Sequence, residues 1–193
     1  MASYYTAEEL RTRSGGLTAS AAQEQLRKFT KSVDGSFDMF LSHSFQDAQA
    51  IVGLRKLFTD QGLRVYVDWI DDPELDRSRV SSSTAARLRQ RMQQSQSLVY
   101  ATSRAASRSR WMPWELGYFD GIRGESRVSV MPVEDGDGSA FDGQEYVGLY
   151  KVIEKVRVNG LIHPYAVLPS RRQAESLSSF SAGQGRFVNL VTS

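Results

Sequence analysis

The chain has 193 residues, 40% of them apolar, and a formal net charge of +2. That length and apolar content suit one domain with appended segments, and so small a charge argues against nucleic acid or a membrane as partner. There is no cysteine, which excludes disulfides and thiolate metal sites, and with only His43 and His163 as imidazoles no metal site is expected.

Residues 1–35 read as a helical N-terminal extension. Thr6 with Glu9, and Ser20 with Gln23, have capping-box spacing, and Gly15-Gly16 separates two short helices. The segment lacks the apolar core of a signal peptide, and no apolar run reaches membrane-spanning length, so a cytoplasmic location is expected.

Strands and helices then alternate. FDMFLS (37–42) is a short apolar strand. DAQAIVGLRKLFTDQG (47–62) places Ile51, Leu54, Leu57 and Phe58 on one helical face and ends on Gly62. RVYVDW (64–69) is a second strand, rich in β-branched and aromatic residues. A polar loop, IDDPELDRSRVSSS (70–83), leads to a helix over 84–94. It lacks the ligand spacing of a calcium loop. SLVYATS (97–103) is the third strand, and Pro113 suits the first turn of the next helix. RVSVMPV (127–133) and the region 146–158 supply strands four and five. The tail holds a loop or linker, ESLSSFSAGQG (175–185), and RFVNLV (186–191) as an added edge strand. This alternation predicts an α/β fold with an open, mostly parallel sheet and helices on both faces.

In such sheets ligands sit beyond the carboxyl ends of the strands. The chain has no dinucleotide-binding glycine fingerprint, P-loop or nucleophile elbow. It does have RSRWMPWELGYFDG (108–121), with two of its three tryptophans around Glu115. A lone carboxylate beside aromatic rings suits cleavage of the N-glycosidic bond to nicotinamide. The leaving group departs neutral and needs no proton donor, so the second carboxyl group of ordinary glycosidases is dispensable. One carboxylate can hydrogen-bond the ribose hydroxyls and stabilise the oxocarbenium-like cation, while aromatic faces stack on the bases.

FDMFLSHSFQD (37–47), LRVYVDW (63–69) and SRWMPWELGYFDG (109–121), in this order and context, resemble the bacterial branch of the TIR (Toll/interleukin-1 receptor) domain superfamily. The resemblance covers about residues 36–157, leaving 1–35 and 158–193 as extensions. It implies a flavodoxin-like parallel sheet of about five strands, and it makes residues 70–83 the BB loop. It implies a single-carboxylate NAD+ glycohydrolase or cyclase, with NAD+ as substrate and no cofactor. Glu115 matches the catalytic glutamate of a W-x-x-x-E placement that begins at Trp111. Phe45 matches a position lining the nicotinamide end. The short chain resembles stand-alone TIR proteins of Thoeris-type antiphage systems, which make a nucleotide signal for a separate effector protein.

Beside these, Ser44, Asp68, Trp69, Ser103 and Arg77 are candidate substrate-binding residues at strand ends or in the 70–83 loop. Three of them have a plainer alternative: Ser44 with Asp47 has N-cap spacing, Asp68 can order a loop, and Arg77 can be a solvated charge. Trp114 shares a helical face with Tyr118, which suits packing. His43 lacks the partners of a nucleophile's base. Self-association through 70–83 is expected. Two other readings stay open at this point: a non-catalytic TIR scaffold, and a nucleoside N-glycosidase or deoxyribosyltransferase-like enzyme with Glu115 as nucleophile.

Overall fold

The computed structural model describes residues 3–15, 35–43, 48–72, 75, 80–102, 109–134 and 148–190, without the side chain of Trp69. Thr6 ends β1 (Tyr5–Thr6) and caps α1 (Ala7–Arg13) through the expected capping box with Glu9. Then follow β2 (Phe37–Ser42), α2 (Ala48–Thr59), β3 (Val65–Tyr66), α3 (Asp68–Asp71), α4 (Ser82–Gln93), β4 (Ser95–Thr102) and α5 (Met112–Arg123). A 3-10 turn at Glu125–Arg127 leads into β5 (Val128–Glu134), then β6 (Lys151–Val158), β7 (Leu161–Val167), β8 (Gln173–Ser176), α6 (Leu177–Ala182) and β9 (Phe187–Asn189).

The sheet order is β3-β2-β4-β5-β6-β7-β8-β9. Pairing is parallel from β3 through β6 and antiparallel from β6 to β9. The five parallel strands therefore run in the flavodoxin-like order, second-first-third-fourth-fifth, as expected for this α/β class. Two apolar clusters fill the two faces. Leu10 of α1, Leu54 and Phe58 of α2, and Phe180 of α6 pack on one side with Met39, Leu41 and Val99. Leu88 and Met92 of α4, and Met112, Leu116 and Phe119 of α5, pack on the other with Phe40, Leu98, Tyr100 and Val130.

The structure departs from the sequence reading in several places, among them β1 within the segment read as helical and β7 within the C-terminal tail. The second strand is only two residues long, because the chain coils into α3 at Asp68. There Asp71 Oδ2 accepts the Val67 N–H at 2.6 Å, a local bond that competes with continuing the strand ladder. The fourth helix begins at Ser82, with the Ser81 hydroxyl accepting the Thr84 N–H. The stretch read as a loop or linker at 175–185 holds the end of β8 and then α6, capped by Ser176 and terminated by Gly183 in the left-handed conformation (φ 63°). The edge strand expected within 186–191 is present as β9.

The N-terminal segment is built into the domain. Tyr5 and Thr6 pair with Val133 and Glu134 of β5, and the Ser3 carbonyl accepts the Lys155 N–H of β6. The Lys155 ammonium meets both oxygens of Glu9, at 2.6 and 2.7 Å. α1 lies so close to α2 that a Cβ at Gly53 would stand 1.8 Å from the Leu10 carbonyl oxygen. Gly117 on α5 has nothing within 4 Å of its Cβ position.

Gly53→Ala is expected to lower stability in urea denaturation, since overpacking costs about 1–3 kcal/mol against the roughly 1 kcal/mol that alanine gains over glycine in a helix. Gly117→Ala is expected to raise it by up to about 1 kcal/mol. Equal shifts of the same sign would contradict this packing.

Candidate active site

The carboxyl ends of β2 and β4 adjoin where the strand order reverses, the place where doubly wound sheets bind ligands. Pleating brings Phe40 and then Ser42 to the α5 face of β2. α5 begins above them. Its first turn has a proline, and the Glu115 N–H bonds the Trp111 carbonyl at 2.8 Å. Glu115 points into the sheet, fully buried, and its Oε2 accepts a 2.6 Å hydrogen bond from the Ser42 hydroxyl. Both groups are 0% exposed, so the bond joins helix to sheet away from water. A short O–H···O bond is strengthened by such surroundings, away from water. Ser42 escapes the sequence pattern because SHSF offers two serines. The signal that finds it is the strand's alternation, which sends Ser42 to the side where the Glu115 helix must lie.

Trp111 is buried in the α5-side cluster and meets Trp114 edge to face, with centroids 5.5 Å apart. Trp114 stacks on Tyr118 (5.7 Å, interplanar angle 15°), and the Arg89 guanidinium of α4 lies 5.2 Å from its ring centroid. The face shared by Trp114 and Tyr118 thus joins α5 to α4. Of the two tryptophans around Glu115, Trp111 is buried within the cluster and Trp114 packs half-buried against it.

Asp68 opens α3, buried against His43, with Oδ1 3.5 Å from Nε2. His43 Nδ1 lies 3.0 Å from the Leu41 carbonyl, so it carries a proton donated to that oxygen. The backbone of Trp69 follows Asp68 in α3. Ser44, Phe45, Arg77 and Ser103 lie outside the described residues, as do the Ser20–Gln23 box and Asp47.

The root of the 70–83 segment is clamped from both sheet faces. Asp71 reaches Arg55 of α2 at 3.2 Å. Asp72 accepts two bonds from Arg91 of α4, at 2.7 and 2.6 Å, and one from the Tyr66 hydroxyl at 2.8 Å. Burial pushes the Asp71 carboxyl above its usual range against the pull of Arg55. At Asp72 burial also pushes upward, but the hydrogen bonds from Arg91 and Tyr66 outweigh it and hold the carboxyl below its usual range. These two acids of the DDPELD stretch bind arginine, and no cluster of metal-ligating side chains occurs among the described residues. Among them, too, no helix is long and apolar enough to cross a membrane.

The model of the family described as "Thoeris protein ThsB, TIR-like domain" matches residues 40–135. A relative from Bacillus cereus (strain MSX-D12), named "Probable 3' cyclic ADP-D-ribose synthase ThsB'", is 48% identical over 138 residues, 70% of each chain. Another, from Cytobacillus dafuensis, named "Putative cyclic ADP-D-ribose synthase TIR2", is 34% identical over 83 residues, 42% of this chain and 22% of that protein.

Asp72→Asn is expected to destabilise the fold by about 3 kcal/mol at neutral pH, as a partly buried arginine loses its ionic partner. A carboxyl held low in the fold stabilises it above the unfolded pKa, near 4, and loses that contribution as pH falls through the folded value. The gap between wild type and variant in chemical denaturation should therefore be full at pH 6 and shrink toward pH 2. A gap independent of pH would contradict the assignment.

Proposed function

The chain belongs to the TIR-like ThsB family of Thoeris proteins, and from that premise we propose that it cleaves the nicotinamide–ribose bond of NAD+ and closes the remaining ADP-ribose into a cyclic nucleotide. The observation that carries the reading is Glu115. It is a fully buried carboxylate at the ligand-binding end of the sheet, and Ser42 holds one of its oxygens. The match to a relative named as a cyclic ADP-D-ribose synthase, over 70% of both chains, supports the same chemistry.

The bond from the anomeric carbon to the nicotinamide nitrogen breaks with its electron pair passing to the ring, so nicotinamide leaves neutral and needs no acid. The ribosyl group carries positive charge in the transition state. Glu115 opposes that charge at close range, in a site where low polarity strengthens the attraction. A carboxylate has about four acceptor positions. Ser42 takes one, and ribose hydroxyls take others, which fixes the sugar. Trp111, wedged beside Glu115 on α5, shapes the base-binding wall. A nucleophile within the same ADP-ribosyl group then attacks the anomeric carbon and gives up its proton. Burial of the carboxylate suits this outcome, because excluding water suppresses the competing hydrolysis to ADP-ribose.

Ser44, Phe45, Trp69, Asp68, Arg77 and Ser103 complete the substrate contacts in this reading. The 70–83 loop mediates self-association, and the cyclic product is the signal read by a separate effector in antiphage defence. Ile70 and Leu75, the apolar residues that the sequence offers for such contacts, are buried and half-buried against the core, and among the described residues Val80, 65% exposed, gives that loop an apolar contact group.

Purified protein incubated with NAD+ is expected to release nicotinamide, with a co-product lighter than ADP-ribose by one water. Glu115→Gln keeps size and hydrogen bonding but loses the charge, and is expected to slow release by at least about 10²-fold. Chromatography with mass detection reads both outcomes. Unchanged release from Glu115→Gln would overturn the assignment, and ADP-ribose as sole product would replace the cyclase with a hydrolase.

A further inference from the structure

Thr102 ends β4. Leu98 and Tyr100, the alternate residues before it, pack against Trp111, Met112 and Leu116 of α5. Strand alternation places Thr102 on that same face. Tyr100 lies opposite Ser42 in the β2–β4 register, and Thr102 lies opposite Pro132 of β5. Thr102 is thus one pleat beyond the strand pair that holds Ser42 under Glu115, at the carboxyl end of the sheet.

Its side chain is fully buried, and its Oγ1 makes no hydrogen bond among the described residues. The other buried sheet hydroxyls behave differently. Ser42 donates to Glu115, Ser95 to the Arg91 carbonyl, Ser97 to the Asp38 carbonyl and Ser129 to the Lys151 carbonyl. A buried hydroxyl without a partner costs its full desolvation. Valine has nearly the same shape, favours strands and carries no such cost. In a sheet that satisfies its hydroxyls elsewhere, the exception stands where a ligand binds.

We propose that Thr102 is a substrate-binding residue whose hydroxyl hydrogen-bonds the ribosyl-nicotinamide half of the dinucleotide engaged by Glu115. The partner is a polar group of that half, a ribose hydroxyl or the carboxamide. Threonine both donates and accepts, so it serves either. This rests on the reading of Glu115 as the reactive carboxylate.

The test uses Thr102→Val and Thr102→Ser in the full chain, with thermal unfolding and NAD+ turnover measured on each. Thr102→Val is expected to keep or raise Tm while kcat/KM falls about tenfold to a hundredfold. Thr102→Ser restores the hydroxyl and is expected to stay within about threefold of wild type. Calorimetric titration of NAD+ into Glu115→Gln, with and without Thr102→Val, should show affinity about tenfold weaker in the double variant. A lower Tm for Thr102→Val would mean that the hydroxyl already has a protein partner. Unchanged kcat/KM and unchanged NAD+ affinity would mean that it meets no ligand. Either overturns the proposal. Full turnover by Glu115→Gln alone would instead overturn the reading of Glu115, and the comparison of kcat/KM between wild type, Thr102→Val and Thr102→Ser would still report on Thr102.

Discussion

A single buried hydrogen bond, from the Ser42 hydroxyl to Glu115, joins the end of β2 to the first turn of α5. Its geometry depends on most of what surrounds it. β2 must sit inside the parallel sheet, between β3 and β4, so that its carboxyl end faces the reversal in strand order. α5 must be seated by Met112, Leu116 and Phe119 so that the residue between them turns inward. A carboxylate taken this far from water is costly unless hydrogen-bonded. The serine is one donor that offsets the cost, and in the proposed reaction the apolar surroundings that include Trp111 strengthen the attraction of that carboxylate for a developing cation.

The two terminal segments hold this centre by different means. The N-terminal strand and helix bind through backbone pairing to β5 and a close approach at Gly53. The C-terminal addition is tied by a buried ionic network at the opposite end of the sheet. There the Lys151 ammonium donates to Glu175 at 2.6 Å and to the Ser126 carbonyl at 2.9 Å, while Glu175 also accepts from Ser179. Each charge has several partners, the condition under which burying such groups is tolerated. The antiparallel strands β7 to β9 thus continue one sheet with the parallel core.

The parallel core was legible because its signals are local. Ile51, Leu54, Leu57 and Phe58 repeat at helical spacing, and RVSVMPV has the β-branched bias of a buried strand. The place of Glu115 in the first turn of α5 was legible because a proline just before it marks the start of the helix. The short α3 was not, since it straddles the Asp68-Trp69 pair read as strand and the Ile70-Asp71 pair read as loop, and the deciding bond, from Val67 to Asp71, depends on where the chain turns. Nor was α6, whose serine-rich sequence resembles a linker until Leu177 and Phe180 find the core cluster that includes Leu41 and Ala101. Ser42 shows the same limit in the site. Its role follows from the face it occupies, and that face is known only when α5 is placed on the sheet.

The most direct test of the account is a crystal structure of the Glu115→Gln protein with NAD+ bound. The dinucleotide is expected at the carboxyl ends of β2 and β4, with the nicotinamide ribose hydroxyls within hydrogen-bonding distance of residue 115 and Ser42 still bonded to that side chain. NAD+ bound elsewhere, or its nicotinamide ribose held away from residue 115, would contradict the account.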